Sequence, residues 1–175
     1  MDLTKKHQLE AINVIENYLT GTDITKHAMI KIPTGAGKTG IIAIVANFYP
    51  NYSNVLILVP NAALPQQTKE EIDRHFWNNI DVDADELNLK PSYLYKNITK
   101  FIENQDASGS IIILTIQRLS SIYRNNSPLY QELQEKINLV IFDEGHREPA
   151  KEWSDINREL SKKTILFTAV RRQVK

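Results

Sequence analysis

The sequence predicts an α/β domain with a mostly parallel central sheet. Five short runs are continuously apolar and rich in β-branched residues, which is typical of strands buried on both faces of a parallel sheet. Stretches with helical character separate these runs, as the connections between parallel strands require. The five predicted strands cover residues 28–32, 55–59, 111–115, 139–143 and 164–168.

Apolar residues recur every three or four positions between the predicted strands, which indicates helices that pack on the sheet. The first helix, for example, carries Leu9, Ile12, Ile15 and Leu19 on one face. A polar stretch over 78–89 is predicted to be a loop or a short edge element. The predicted helices cover 6–19, 39–48, 64–76, 95–104, 128–136 and 150–160, with a helical turn over 116–123.

The composition is that of an ordinary globular protein of one domain. Lys plus Arg equal Asp plus Glu at 21 each among 175 residues, so the bulk charge favours no nucleic-acid partner. The absence of cysteine excludes disulfides and thiolate metal sites. No apolar run approaches the roughly 20 residues of a membrane span, and the first four residues do not resemble a secretory signal. We therefore expect a cytoplasmic location.

The loop after the first predicted strand is predicted to bind phosphate. Gly35 and Gly37 allow positive φ and leave no side chain between the backbone and a ligand. Backbone N–H groups can then point at phosphate oxygens, at the positive end of the next helix. The predicted phosphate-binding residues are Pro33, Thr34, Gly35, Ala36, Gly37, Lys38 and Thr39.

Two side chains at the end of this loop have predicted roles. Lys38 would reach the terminal phosphates of a nucleotide, and the Thr39 hydroxyl would bind Mg²⁺. Ile32 stands where the general pattern G-x-x-x-x-G-K-[ST] has its first glycine. The alternative is a strand-to-helix turn with a chance Lys-Thr pair, but the apolar strand before the loop and the helix after it favour the nucleotide site.

A pair of carboxylates, Asp143 and Glu144, closes the fourth predicted strand. Ligands of parallel sheets bind at the carboxyl ends of the strands, so Asp143 can hold Mg²⁺, usually through water, opposite Thr39. Glu144 can accept a proton from a water that attacks the γ-phosphate. This second carboxylate favours hydrolysis over transfer to an acceptor. The alternative is a pair of surface acids, with His146 as an ordinary polar residue.

In this order, the motifs resemble those of the first RecA-like domain of superfamily 2 helicases and translocases, the DEAD/DEAH-like group. The family often lacks the first glycine of motif I, so Ile32 fits this resemblance. Motif II has Gly145 where the family usually has Ala. The similar segments are 32–39 for motif I, 58–67 for motif Ia, 114–119 for motif Ib, 143–146 for motif II and 167–169 for the start of motif III.

The resemblance implies a Mg-ATP site and residues that couple it to movement. Lys38, Asp143 and Glu144 would be the catalytic residues, with Thr39 and Asp143 at the metal. His146 and Thr168 would couple hydrolysis to movement. The cofactors implied are ATP and Mg²⁺, and the fold implied is a three-layer P-loop (RecA-like) domain.

Further residues have implied contacts with the nucleotide base and with nucleic acid. Gln8 lies where the family places a glutamine that reads adenine, and an amide can both donate to and accept from the edge of that base. A solvated glutamine on a helix face is the alternative. Motifs Ia and Ib imply that Asn61, Thr115 and Gln117 contact the phosphates of a single strand of DNA or RNA.

Two departures from the family limit what the resemblance implies. After Ala169 the chain has Val170, Arg171 and Arg172 instead of the usual Thr-Pro of motif III. Residues 1–175 would form one RecA-like domain, whereas a helicase needs a second one to close over ATP and supply an arginine finger. We therefore expect a fragment, a truncated gene product or half of a split enzyme.

The sequence thus predicts the ATP-binding half of a DNA or RNA helicase or translocase. Three alternatives remain at this point. One is an ATP- and nucleic-acid-binding module without turnover of its own. Another is a small P-loop kinase, although a lid with clustered arginines is not visible in the sequence. The third is a purely structural α/β domain, against which the phosphate loop argues.

Overall fold

Six strands are present in the part of the chain that the computed structural model describes, residues 3–22, 27–33, 35–144, 155–156 and 158–170. All of them pair in parallel, in the order β1-β6-β5-β2-β4-β3 once they are numbered along the chain. The predicted α/β class and the mostly parallel sheet are therefore confirmed. The strands are β1 Ala28–Pro33, β2 Asn54–Val59, β3 Ser92–Leu94, β4 Ser110–Thr115, β5 Leu139–Phe142 and β6 Lys163–Val170.

The strands are connected by helices that pack on both faces of the sheet. Helical structure also covers residues 155–156 and 158–160, the described end of the helix predicted over 150–160. No helix within the described ranges is long and apolar enough to cross a membrane. The α-helices are α1 Leu3–Thr20, α2 Lys38–Phe48, α3 Leu64–Glu70, α4 Phe76–Asn79, α5 Ile98–Glu103, α6 Ile116–Asn125 and α7 Ser127–Lys136.

Three local predictions differ from the structure. Strand β3 lies outside every predicted element. Its three residues are only half-buried and pair with β4 alone, so they carry little apolar signal. The helix predicted over 64–76 continues to Asn79 through a π-helical turn, Glu71–His75, that joins α3 to α4. The helix predicted over 95–104 begins instead with a 3₁₀ turn, Tyr95–Asn97.

Two apolar clusters, one on each face of the sheet, form the core. Alternate residues of β2 face opposite clusters, since Ile57 packs with α1 and α2 whereas Leu56 and Leu58 pack with α5, α6 and α7. All three side chains are fully buried. This three-layer arrangement brings the loops that follow the strands to one edge, where the predicted site residues lie.

Candidate functional site

The loop after β1 has the backbone geometry of a phosphate cradle. Gly35 and Gly37 adopt φ of 78° and 82°, the left-handed region that favours glycine. The Ala36 N–H closes the turn by donating to the Pro33 carbonyl at 3.1 Å. Gly37 immediately precedes α2, so the loop ends at the positive pole of an 11-residue helix. Thr34 lies outside the described residues.

Lys38 brings the loop and the carboxylate pair together. Its Nζ lies 2.7 Å from Asp143 Oδ1 and donates a hydrogen bond to Glu144 Oε1. The three side chains are 17%, 19% and 23% exposed, so the ion pairs are shielded from solvent more than surface pairs are. Residues 106 positions apart in sequence thus form one charged cluster at the carboxyl edge of the sheet.

One oxygen of this cluster is suited to a further ligand. Asp143 Oδ1 is buried, and its one partner among the described groups is the Lys38 ammonium at 2.7 Å. A carboxylate oxygen has two lone pairs and can therefore accept a further contact. Mg²⁺ takes one or two protein oxygens and completes its shell with water and phosphate, so Asp143 with the Thr39 hydroxyl is a donor set that fits this ion.

Glu144 is held in an unusual conformation at the end of β5. Its φ is 61°, and a non-glycine residue in this region costs on the order of 1–3 kcal/mol, which is found most often at functional sites. The side chain borders a cavity of about 330 Å³. The residues that line this cavity are Ile32, Pro33, Gly35, Gly37, Lys38, Thr39 and Glu144.

Gln8 lies against the phosphate loop. Its Nε2 donates to the Ala36 carbonyl at 3.2 Å, and a Cβ on Gly37 would lie 1.9 Å from the same nitrogen. The absence of a side chain at Gly37 therefore lets α1 approach the loop. The second N–H and the Oε1 of the amide remain for a nucleotide base.

Gln8 also borders an apolar cavity of about 300 Å³ between α1 and α2. Phe76 forms one wall, and a Cβ on Gly40 would lie 2.3 Å from its ring. Phe76 is not among the site residues predicted from the sequence. The π-helical turn that precedes it, Glu71–His75, is not visible in the spacing of apolar residues. The lining residues are Gln8, Leu9, Ile12, Gly40, Ile41, Ile44 and Phe76.

The three residues predicted to contact nucleic acid lie together at a second point of the same edge. Asn61, Thr115 and Gln117 line a cavity of about 410 Å³ after β2 and β4. Gln117 Nε2 donates to the Pro60 carbonyl at 3.2 Å, which links the two loops. Sequence reasoning missed Arg118, which lines the same cavity.

The side-chain oxygens of Thr115 and Asn61 already accept local hydrogen bonds. Thr115 Oγ1 accepts the Arg118 N–H at 3.1 Å and caps α6, and Asn61 Oδ1 accepts the Ala63 N–H at 3.1 Å. The Thr115 O–H and the Asn61 amide N–H groups can still donate, and phosphate oxygens accept such bonds.

Of the two residues predicted to couple hydrolysis to movement, the structure describes Thr168 and not His146. Thr168 lies on β6, in register with Lys31 of β1, and its side chain is half-buried beside the phosphate loop strand. His146, Arg171 and Arg172 lie outside the described residues, so their predicted positions stay predictions.

Comparison with known proteins gives a family match over nearly the whole chain. The family model described as Type III restriction enzyme, res subunit, matches residues 3–172. No curated protein sequence matches the chain.

Solved helicase structures share the fold. A crystal structure of the UvsW helicase from bacteriophage T4 superposes with a TM-score of 0.58 at 22% identity, over 92% of this chain and 51% of that one. A second T4 UvsW structure gives 0.57 at 19%, over 92% and 29%. The DUF1998 helicase MrfA gives 0.58 at 20%, over 93% and 26%. The chain thus spans about half or less of the length of these proteins.

Proposed function

The chain belongs to the family of the Type III restriction enzyme res subunit, and from that premise we propose that it is the ATP-binding half of a nucleic-acid-dependent ATPase. The observation that carries the proposal is the contact of Lys38 with Asp143 and Glu144 beside the glycine loop. A phosphate loop, a metal-binding carboxylate and a proton acceptor are the parts that ATP hydrolysis needs.

Each residue of the cluster has a distinct part in the proposed reaction. Lys38 leaves the carboxylates for the terminal phosphates of ATP, because a charge-assisted bond to phosphate replaces the one to Glu144. Thr39 and Asp143 would hold Mg²⁺, which neutralises phosphate charge when it is bound. Glu144, once released by Lys38, orients a water and accepts its proton.

The base and the strand would occupy the neighbouring cavities. Gln8 would contact the adenine edge while its amide stays on the loop. Asn61, Thr115 and Gln117 would contact phosphates of a single strand of DNA or RNA, without sequence preference. Thr168 and His146 would couple the two sites.

A binding module without turnover of its own is the second candidate. Lys38 is the single cation among the described residues that line the phosphate cavity. Phosphoryl transfer in related enzymes gains about 10³–10⁵ in rate from an additional arginine. In the proposal a second RecA-like domain, in the same protein or in a separate chain, supplies it.

Phosphate release by the 175-residue chain tests the proposal. We expect very slow hydrolysis of Mg-ATP and little stimulation by single-stranded DNA or RNA, with turnover restored when a second RecA-like domain completes the site. Brisk, strand-stimulated hydrolysis by the chain alone would contradict the need for that domain. Failure to bind Mg-ATP at all would contradict the proposed function itself.

A further inference from the structure

An arginine and a tyrosine are stacked at the wall of the cavity that holds Asn61, Thr115 and Gln117. The Arg118 guanidinium carbon lies 4.2 Å from the centroid of the Tyr95 ring, well within the range of a cation–π contact. Arg118 lines the cavity, whereas Tyr95 belongs to the 3₁₀ turn that follows the edge strand β3. The pair therefore extends this cavity towards the edge of the sheet.

Within the described ranges, no carboxylate neutralises the charge of Arg118. No described Asp or Glu forms an ion pair with it, whereas Arg74 pairs with Asp85 at 3.8 Å and Arg158 with Asp155 at 3.5 Å. Stacking on the ring restricts the guanidinium and leaves its N–H groups available in one plane, the geometry that suits phosphate. The backbone of Arg118 is fixed as well, because its N–H is bonded to the Thr115 cap.

The Tyr95 ring is presented to solvent. Tyr95 is 39% exposed. Tyr93, two residues earlier, instead packs on the buried Phe101, with 6.4 Å between the two ring centroids. Lys96 and Lys100, which follow Tyr95 closely in sequence, are also exposed. An exposed aromatic ring among cations is the combination with which proteins bind single-stranded nucleic acid.

We propose that Arg118 and Tyr95 form a two-part subsite for single-stranded nucleic acid, in which Arg118 binds a phosphate and a base stacks on the exposed Tyr95 ring. This inference rests on the proposed function and extends the strand from the phosphate contacts of Asn61, Thr115 and Gln117. It assigns a role to the bases themselves. A strand without a base at this position, or a duplex whose bases are stacked on each other, would lose the Tyr95 contact.

The alternative is that the contact between Arg118 and Tyr95 only connects α6 to the turn after β3 and does not bind nucleic acid. Loss of such a pair would lower stability and leave the affinity for nucleic acid unchanged. Binding and thermal unfolding are therefore measured on the same variants.

Fluorescence anisotropy with the full 175-residue chain and labelled, unrelated single-stranded oligonucleotides at two salt concentrations tests the subsite. We expect Arg118→Ala to weaken binding about 10- to 150-fold and to lower the salt slope by about 1. Tyr95→Leu is expected to weaken binding about 5- to 150-fold with the salt slope unchanged, and Tyr95→Phe to bind as wild type, since stacking needs the ring alone. Arg74→Ala, which removes an equal charge elsewhere, is the control and should bind as wild type.

Oligonucleotides with abasic sites test stacking without any protein variant. Wild type should bind them as weakly as Tyr95→Leu binds the intact strand, and Tyr95→Leu should lose nothing more. If wild type binds intact and abasic strands equally, or if Arg118→Ala and Tyr95→Leu bind as wild type, the subsite is wrong while the proposed function stands. If wild type binds no single strand, the strand contacts of the proposed function fail, and the subsite with them.

Discussion

Lys38 is paired with the two carboxylates that the proposed reaction would use. Its ammonium contacts both Asp143 and Glu144, so in the proposed mechanism ATP would displace these contacts before the lysine reaches phosphate. The same contact holds the side chain of Glu144, whose backbone has a left-handed φ of 61°. Nucleotide binding and the release of Glu144 are therefore linked in the proposed mechanism.

This linkage predicts the behaviour of Glu144→Gln. The substitution removes the charge that holds Lys38 and keeps the size of the side chain, so Mg-ATP should bind at least as tightly as it does to wild type. The variant should give no turnover when a second domain completes the site, because an amide cannot accept the proton. Titration with a fluorescent ATP analogue measures the first effect and phosphate release the second. Weaker binding by this variant would contradict the linkage.

For single residues, the sequence predicts which side chains lie close together but not their backbone conformations or their packing partners. The order of the motifs is sufficient to predict that Lys38 lies near Asp143 and Glu144. The positive φ of Glu144 and the ring beneath Arg118 are not predictable in the same way, because both depend on contacts between segments far apart in sequence.

Among the secondary-structure elements, two helices have a buried lysine that donates hydrogen bonds to carbonyls at their ends. Lys163 donates to the carbonyls of Tyr18, Leu19 and Gly21 at the end of α1. Lys90 donates to Ala46 near the end of α2 at 2.9 Å and to Tyr52 at 2.7 Å. Both are less than a tenth exposed. These hydrogen bonds satisfy carbonyls that the helix ends leave open.

The burial of Lys90 predicts a pH dependence of stability. Desolvation lowers the pKa of its amine from 10.5 to about 8. Between these values the unfolded chain binds more protons than the folded one, so the free energy of unfolding should rise with pH. From pH 7.5 to 9.5 we expect a gain of about 2 kcal/mol from this residue. Tyr49 and Tyr52, whose pKa burial raises above 10, titrate beyond this window.

Urea denaturation of wild type and Lys90→Met at the two pH values measures this effect. The variant lacks the amine, so its free energy of unfolding should lack the gain seen in wild type. An equal rise with pH in both proteins would show that other groups cause it.

The elements that sequence reasoning missed are those with a weak apolar signal. The three half-buried residues of β3 form a strand because they pair with β4. No local pattern in the sequence predicts this pairing. The π-helical turn is accompanied by one side-chain hydrogen bond within the segment and by an aromatic contact with α2. Trp77 Nε1 donates to the Ile72 carbonyl at 2.8 Å, and its ring packs on Phe48 and Phe76.

At the scale of the whole molecule, the sheet places the two proposed sites along one edge. The nucleotide cluster lies after β1 and β5, and the strand cavity after β2 and β4. The backbone N–H of Asp143 donates to the Leu58 carbonyl at 2.9 Å, two residues before Pro60 of the strand cavity. The two sites are thus joined through the paired strands β5 and β2. The sequence predicts the parallel strands, but their spatial order depends on long-range pairing.

If the loop and the carboxylate pair form a Mg-ATP site, Lys38→Ala should bind nucleotide more weakly than wild type does. A fluorescent ATP analogue would be titrated into wild type, Lys38→Ala and Lys100→Ala, the last being a control that removes an exposed lysine of α5. Thermal unfolding would show that the variants are folded. We predict Mg²⁺-dependent binding by wild type and the control, and binding about 10- to 150-fold weaker by Lys38→Ala, since a charge-assisted phosphate contact is lost. Equal affinities for all three proteins would contradict the claim.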